Sequence, residues 1–258
     1  QFIERAIGYF QRAAALDPTD ARSYAGLADS YYALSTGDKA PLDVMPKAKA
    51  AALKAIALDD TVAEAHASLG QIAFFYDWDA HRAEQEFRKA LALNPSLPQA
   101  HSGLAEYLLL VGGRPDEAIT ELKRAYALDP LLPLSHGSLA SFLFMARRYP
   151  ESLAAAQKVG DDSGMALAYA EMGQRAQAIA AADRFSRATQ SPVDLAEAAT
   201  SYAMAGRKDR ARKLLSQVEE LASKRYVCGY NVACVYVALG DKSQAIAWLN
   251  RAFVSHSD

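Results

Sequence analysis

Cysteine is nearly absent from this chain: Cys228 and Cys234 are the two among 258 residues. Six positions apart on one helix, they fall on different faces and cannot easily pair. They fit no metal-ligand spacing. Both are therefore expected as small buried apolar side chains, and they do not decide a redox compartment. A charge excess of one sign is also missing. Formal net charge is −2 and the pI about 6.3, so nothing pulls the whole chain toward nucleic acid or an anionic membrane. Long apolar runs are missing too. Stretches such as "YLLLV" at 107–111 are far too short to cross a bilayer. No stretch keeps a period of two for long, and Val and Ile are scattered, which argues against a sheet. What remains is abundant alanine, with apolar residues recurring at three and four, the pattern of helices. At 51% hydrophobic and 22% charged residues, the chain is long enough and apolar enough to bury a core. It opens at Gln1 without Met, inside the amphipathic run "FIERAIGYFQRAAALDP". It therefore reads as a piece of a longer protein.

A longer period lies over the helical one. "RAAALDP" ends at Pro18, "KAIALDD" at Asp60, "KALALNP" at Pro95 and "RAYALDP" at Pro130, and the last three ends are 35 residues apart. Self-similarity near this length is the mark of a helix-turn-helix solenoid. On these residues the chain resembles the tetratricopeptide repeat family. Leu27, Leu69, Leu104 and Leu139 stand at the first apolar anchor of helix A, followed by small Ala28, Gly70, Ala105 and Ala140. Ala48, Ala83, Ala118, Ala178, Ala211 and Ala245 take the small position of helix B. Phe10, Phe87, Leu122, Leu215 and Leu249 take its large position, and Ala13, Ala55, Ala90, Ala125 and Ala252 follow three residues later.

The resemblance implies an all-α fold, an α-solenoid of stacked antiparallel helix pairs winding as a right-handed superhelix, over 1–258 as a single solenoid. The implied organisation is a half repeat at 1–18, then repeats at about 20–60, 61–95, 96–130, 131–160, 161–190, 191–224 and 225–258. The later repeats are read mostly from the turns "EMGQRAQAI", "MAGRKDRAR" and "ALGDKSQAI".

Capping signals give independent boundaries. "TVAE" (Thr61, Glu64) and "SLPQ" (Ser96, Gln99) read as capping boxes opening helix A. "SPVD" puts Ser191 at the N-cap, Pro192 at the first helical position and Asp194 in the first turn, and "DKSQ" (Asp241, Gln244) opens the last helix B. Two irregularities stand out. Gly37, Pro41 and Pro46 within "STGDKAPLDVMP" predict an extended loop between helices A and B of the first full repeat. "GDDSG" at 160–164 joins two repeats with a shortened helix B before it, which predicts a kink or a change of path at 159–164.

Several clusters look chemical. His66, His101 and His136 recur every 35 residues. Equivalent positions of stacked helices are about 10 Å apart, whereas zinc needs its nitrogens within about 2.1 Å. They are expected as a ladder of packed or hydrogen-bonded imidazoles. "FFYDWDAHRAEQEF" sets Asp77, Trp78, Asp79 and His81 together. Without a strand for a nucleotide-sugar site, and without the Gly and distal Glu of a calcium loop, it is expected as an inter-helix corner. Asp79 would be the N-cap and Trp78 the filling of that corner. "RKDRARK" at 207–213 reads as a solvated outer face. Gly112-Gly113 reads as a helix C-terminus, since no Lys-Ser/Thr follows. No nucleophile set is present, so no catalytic residue, no metal, no cofactor and no enzyme activity are expected.

By the resemblance, helix A residues line the concave surface, here Asp29, Tyr32, Gln71, Phe74, Phe75, Glu106, Leu109 and Ser141. Some family members hold acidic C-terminal tails with a clamp of Lys, Asn and Arg. The matching positions here are Ala25, Asp29, Ala67, Gln71, Ser102 and Glu106. An apolar or basic segment suits this surface better than an acidic tail. The runs "YAGLADSYYAL", "AEQEFRKALALNP" and "YNVACVYVALGDKSQAIAWLNRAF" also look like the C-terminal repeats of large bacterial signalling proteins, which follow a winged-helix or Ser/Thr kinase domain. The resemblance implies a non-catalytic, cytoplasmic protein-interaction module that binds neither nucleic acid nor membrane. A structural spacer, or a surface that makes a homodimer, is the alternative.

Overall fold

The computed structural model describes residues 2–35, 39–130, 139–224 and 226–255, all helix and connection. The chain divides into two compact units, Gln1–His136 and Gly137–Asp258. In the first, α1 (Phe2–Leu16) precedes three antiparallel pairs: α2 (Ala21–Ser35) with α3 (Pro41–Leu58), α4 (Ala63–Phe75) with α5 (Ala80–Leu93), and α6 (Pro98–Leu110) with α7 (Pro115–Leu128). The second holds four pairs: α8 (Leu139–Met145) with α9 (Tyr149–Val159), α10 (Asp162–Glu171) with α11 (Arg175–Ala188), α12 (Pro192–Met204) with α13 (Lys208–Ala222), and α14 (Gly229–Leu239) with α15 (Lys242–Ser255). Within each unit the even-numbered helices also pack on one another, α2 on α4 on α6 and α10 on α12 on α14.

Small residues bring the helices together. Ala48, Ala83, Ala118, Ala178, Ala211 and Ala245 are all buried, as are Ala28, Gly70, Ala105 and Ala140. The large position works by insertion. The Phe87 ring lies between Gly70 of its own pair and Gly103 of the next, and a Cβ built on Gly103 would come within 2.2 Å of that ring. Phe10 fills the space over Gly26 in the same way. This explains where the pattern fails. Leu249, assigned to the large position of α15, is 42% exposed, and its neighbour Trp248 is turned into the core instead. Among the described residues no following helix pair covers α15.

Three sequence expectations are corrected. Pro41 and Pro46 do not form an extended loop: α3 starts at Pro41 and runs through Pro46 to Leu58 (Gly37 lies outside the described residues). Pro41 takes the first helical position, where its lost N–H has no partner anyway. Pro46 forfeits one backbone bond, but Val44 and Met45 beside it are buried in the core. Nor are Thr61 and Ser96 N-caps. Val62 and Leu97 hold those positions without a side-chain bond, and both are buried. The Thr61 hydroxyl instead donates to Asp59 Oδ1 at 2.6 Å, and the Ser96 amide donates to Asn94 Oδ1 at 3.0 Å. These Asx turns close the preceding helix, so the polar side chain is spent backwards while an apolar one enters the core. Ser191 is the N-cap residue of α12 with Pro192 behind it, but it makes no capping bond; its amide donates to Thr189 Oγ1, and Thr189 donates to Asp194. Asp241 does accept from the Gln244 amide at 3.1 Å.

The third correction concerns Trp78. It does not fill the corner between α4 and α5: it is 47% exposed and has φ 56°. The residue just before each helix B N-cap is left-handed in six successive turns, and four of them use glycine: Gly113, Gly173, Gly206 and Gly240. Trp78 and Arg147 are the two without it. At 159–164, α9 ends on Gly160 (φ 72°), and Asp161 at once caps α10 through the Gly164 amide at 3.0 Å. The two helices pack together, and the division between the units falls upstream, at 136–137.

Candidate functional site

Helices α2, α4 and the start of α6 expose one face to an open recess of about 530 Å³ in the first unit. Helix α2 contributes Arg22, Ala25, Gly26 and Asp29, helix α4 contributes Glu64, Ala67, Ser68 and Gln71, and Leu97 and Gln99 close one end. Alanines 25 and 67 and Gly26 keep the floor low, since a longer side chain there would fill the space. Phe10 and Val62 supply apolar wall, and Asp59 and Thr61 a polar rim.

The recess is acidic, with Asp29, Asp59 and Glu64 against Arg22. The three acids are not alike. Asp59 accepts from the hydroxyl and amide of Thr61, and these bonds hold its carboxyl below the usual range, with Arg22 adding to the effect. Asp29 goes the other way. Its carboxylate is reached by solvent yet crowded by the recess walls, and this burial alone pushes its pKa up. Among the described residues no side chain or backbone group hydrogen-bonds Asp29 or the Gln71 side chain, although Gln71 is only 7% exposed. Gln99 Oε1 is buried without a partner at the end of the same recess.

Of the residues read as the concave face, Asp29 and Gln71 line the recess. Tyr32 and Glu106 are buried, Tyr32 within the apolar cluster under α2 and α3. Phe74, Phe75 and Leu109 are half-buried outside the recess; Phe74 packs edge-on against Phe75 at 4.8 Å and against Tyr107 at 6.3 Å. Ser141 belongs to α8 in the second unit. Sequence reasoning missed Arg22, Glu64 and Gln99. Each lies one turn before the position that the family's clamp uses, where a helix start joins the wall.

The histidines are hydrogen-bonded, to carboxylates and carbonyls and not to one another. His66 Nδ1 lies 2.7 Å from Glu86 Oε2, and its Nε2 lies 3.1 Å from the Asp60 carbonyl. His101 repeats this with Glu121 at 2.6 Å and the Pro95 carbonyl at 2.9 Å. His136 lies outside the described residues. Each ring thus ties helix A to its own helix B and to the end of the preceding pair. With acceptors at both nitrogens, the doubly protonated ring satisfies both contacts. For His66, burial disfavours the charge, but the Glu86 and Asp60 bonds prevail and the pKa is raised.

The acid/His corner disperses. Asp77 takes Lys49 Nζ at 2.8 Å, Asp79 caps α5 through the Arg82 amide at 3.0 Å, and His81 meets Gln85 at 2.9 Å. In the basic run, Arg207 bonds Asp209 at 2.9 Å and pulls its pKa to about 2, while Arg210 pairs with Asp183 beside the Tyr202 ring. Cys228 is the N-cap of α14, not part of its interior, and both cysteines are half-buried and free. No described helix is long and apolar enough to cross a membrane.

Comparison with known proteins identifies the repeat. A family model described as "Tetratricopeptide repeat" matches residues 76–133 and 108–165, and a second of the same description matches 230–253. Residues 76–165 and 230–253 therefore match tetratricopeptide repeats. No curated protein sequence matches the chain. Among solved structures, the Cut9–Hcn1 hetero-tetramer of APC/C is 17% identical with a TM-score of 0.58, covering 98% of this chain and 50% of that one. Yeast Tom70 is 16% identical with a TM-score of 0.55, covering 97% and 54%. This chain thus spans about half the length of each, and the likeness is one of fold. PilW, a type IV pilus biogenesis factor, is 18% identical with a TM-score of 0.46, covering 91% and 92%.

Proposed function

We propose that this run of tetratricopeptide repeats is a non-catalytic protein-interaction module that holds a segment of a partner protein in the recess of its first unit. Tetratricopeptide repeats generally mediate protein–protein interactions. The observation that carries the reading is an open recess of about 530 Å³ with an apolar floor and polar groups that have no hydrogen-bond partner among the described residues. Such a lining suits a ligand that brings its own hydrogen bonds and some apolar surface. The charge balance favours a basic or apolar segment. Ala25, Asp29, Ala67, Gln71, Ser102 and Glu106, at the positions where a carboxylate clamp would stand, include no Lys or Arg. What supports a regulatory setting is the likeness of the repeat runs to the C-terminal regions of bacterial signalling proteins. The module would then report a partner to an output domain of the winged-helix or kinase type.

Self-association is the second reading, and it has its own observation. Helix α15 exposes Ile246, Leu249, Phe253 and Val254, and α1 exposes Phe2 and Ile3. Apolar residues grouped on one helix face favour contact with another surface. The test is a titration of short basic, apolar and acidic peptides followed by backbone amide NMR, with sedimentation of the unliganded chain. Shifts at Ala25, Asp29 and Ala67 with basic or apolar peptides, from a monomer, are expected. A dimer with no peptide response would select self-association, and a preference for acidic peptides would contradict the recess reading.

A further inference from the structure

The polar groups in the recess are unequal, and the inequality specifies a ligand. Asp59 is satisfied by Thr61 and influenced by Arg22. Asp29 has neither a donor nor a cation: no hydrogen bond reaches it, and burial is the sole cause acting on its titration. Solvent reaches this carboxylate, but the recess walls crowd it and no protein group compensates its charge, so it is open to an outside cation. An independent anomaly lies at the end of the same recess. Gln99 Oε1 is buried with no hydrogen-bond partner among the described residues. Buried polar groups are normally bonded, so one that is not signals an external partner. Gln71, the equivalent of Asp29 in the neighbouring repeat, adds an amide that makes no hydrogen bond among the described residues and faces the same space. Glu64 adds a second exposed carboxylate to the wall. A metal ion does not fit: among the described residues no group of three or more His, Cys, Asp or Glu converges to hold one. An organic cation on a flexible apolar stem does fit. Its stem can lie over Ala25, Ala67 and Gly26 while its head reaches Asp29.

Resting on the recess reading above, we propose that the recess is a seat for one lysine or arginine side chain of an extended partner segment. Asp29 accepts the cationic N–H groups, Glu64 reinforces the field from the wall, and the Gln71 amide bonds the segment's main chain. This reverses the sign of the carboxylate clamp that the same helix positions carry elsewhere in the family. It makes Asp29 a specificity-determining residue. A carboxylate held on the recess wall with no hydrogen-bond partner of its own is what a site pre-organised for a cation requires.

The test is a library of short peptides that differ only in a central Lys, Arg, Ala or Glu, with affinity read by fluorescence polarisation on the whole chain. The account expects Lys or Arg peptides to bind at least about tenfold tighter than the Ala peptide, about 1.4 kcal/mol of binding free energy. Asp29→Asn should abolish this preference and leave the thermal midpoint unchanged or raised, since it removes an uncompensated charge. Glu64→Trp fills the recess from an exposed position and should abolish binding of every peptide. If Glu64→Trp blocks binding but Asp29→Asn keeps the Lys/Arg preference, the recess reading stands and the cation seat is wrong. If neither variant changes binding, or no peptide binds, both are wrong. A preference for the Glu peptide overturns the seat outright.

Discussion

The two units share one architecture and hold it together differently. In two pairs of the first, the fourth position of the repeat and its counterpart on helix B are His66 with Glu86 and His101 with Glu121, imidazole–carboxylate contacts at 2.7 and 2.6 Å. In two pairs of the second, the same two positions carry Leu195 with Leu214, both in one apolar cluster, and Gly229 with Trp248. There the α14 glycine comes close enough that an added Cβ would lie 3.1 Å from the Trp248 carbonyl oxygen. The helix pair requires that this spot be filled, and it accepts an imidazole–carboxylate bridge, two leucines, or a glycine against the backbone of Trp248 and Ala252. The difference has a consequence. The His66 bridge titrates, whereas an apolar contact at the same position does not.

The comparison can be broken most sharply by removing half of a bridge. His66→Leu leaves the Glu86 carboxylate, 17% exposed, without its main partner. Breaking a buried pair costs about 3–5 kcal/mol, and the remaining exposure, with Arg82 nearby at 3.7 Å, places the expected loss near the lower end, about 3 kcal/mol. Making Glu86→Leu as well copies the leucine pair of the second unit and should restore most of the loss, to within about 1.5 kcal/mol of the parent. Denaturant unfolding of both variants checks this. A double variant as unstable as the single one would show that the bridge is not interchangeable with apolar packing.

Packing gives the next effect. Gly103→Ala gains helix propensity of about 1 kcal/mol but drives a methyl into the Phe87 ring. Overpacking costs about 1–3 kcal/mol, so net destabilisation of about 1 kcal/mol is expected. Pairing it with Phe87→Leu should recover stability if the clash is the cause.

The pH effect of the His66 bridge is expected to be smaller. His66 titrates higher in the folded chain than when unfolded, near ~6.5. Its bridge therefore contributes fully below that value and is lost as pH rises through the folded pKa. Hydrogen exchange of the whole chain should show α4 and α5 opening more easily at alkaline than at mildly acidic pH. The His66→Leu/Glu86→Leu variant should flatten the response of α4.

The smallest effect lies in the turns. Trp78 and Arg147 hold a left-handed conformation that four equivalent turns give to glycine. Trp78→Gly removes a strain of about 1–2 kcal/mol but adds unfolded-state freedom of roughly 0.4–1 kcal/mol. A gain of about 0.5 kcal/mol or less is expected, with Arg147→Gly giving a similar gain in the second unit.

Much of the fold was legible because a repeat states its packing rule several times. The buried alanines of helix B and the anchors Leu27, Leu69 and Leu104 follow directly from spacing. What the spacing missed has physical causes. Thr61 and Ser96 look like caps, but Asp59 and Asn94 make closing turns just before them while Val62 and Leu97 are drawn into the core. Pro46 looks like a helix breaker, but buried Val44 and Met45 outweigh one missing bond. Leu249 fits the pattern, but a large residue is buried only where a next helix pair covers it. In the site, Asp29 and Gln71 were reachable because both stand two residues past the helix A anchors Leu27 and Leu69, on the side that lines the recess. Arg22, Glu64 and Gln99 were not, because the depth of a recess depends on how successive helices are set side by side. Phe74, half-buried, lies outside the recess and packs edge-on against Phe75 and Tyr107.

The most direct measurement is hydrogen exchange of the whole chain with and without a saturating Lys- or Arg-centred peptide. Binding in the recess predicts slowed exchange in α2, α4 and the first turn of α6, lost in Glu64→Trp. Slowing confined to α1, α15 or the helices of the second unit, or unaffected by Glu64→Trp, would contradict it.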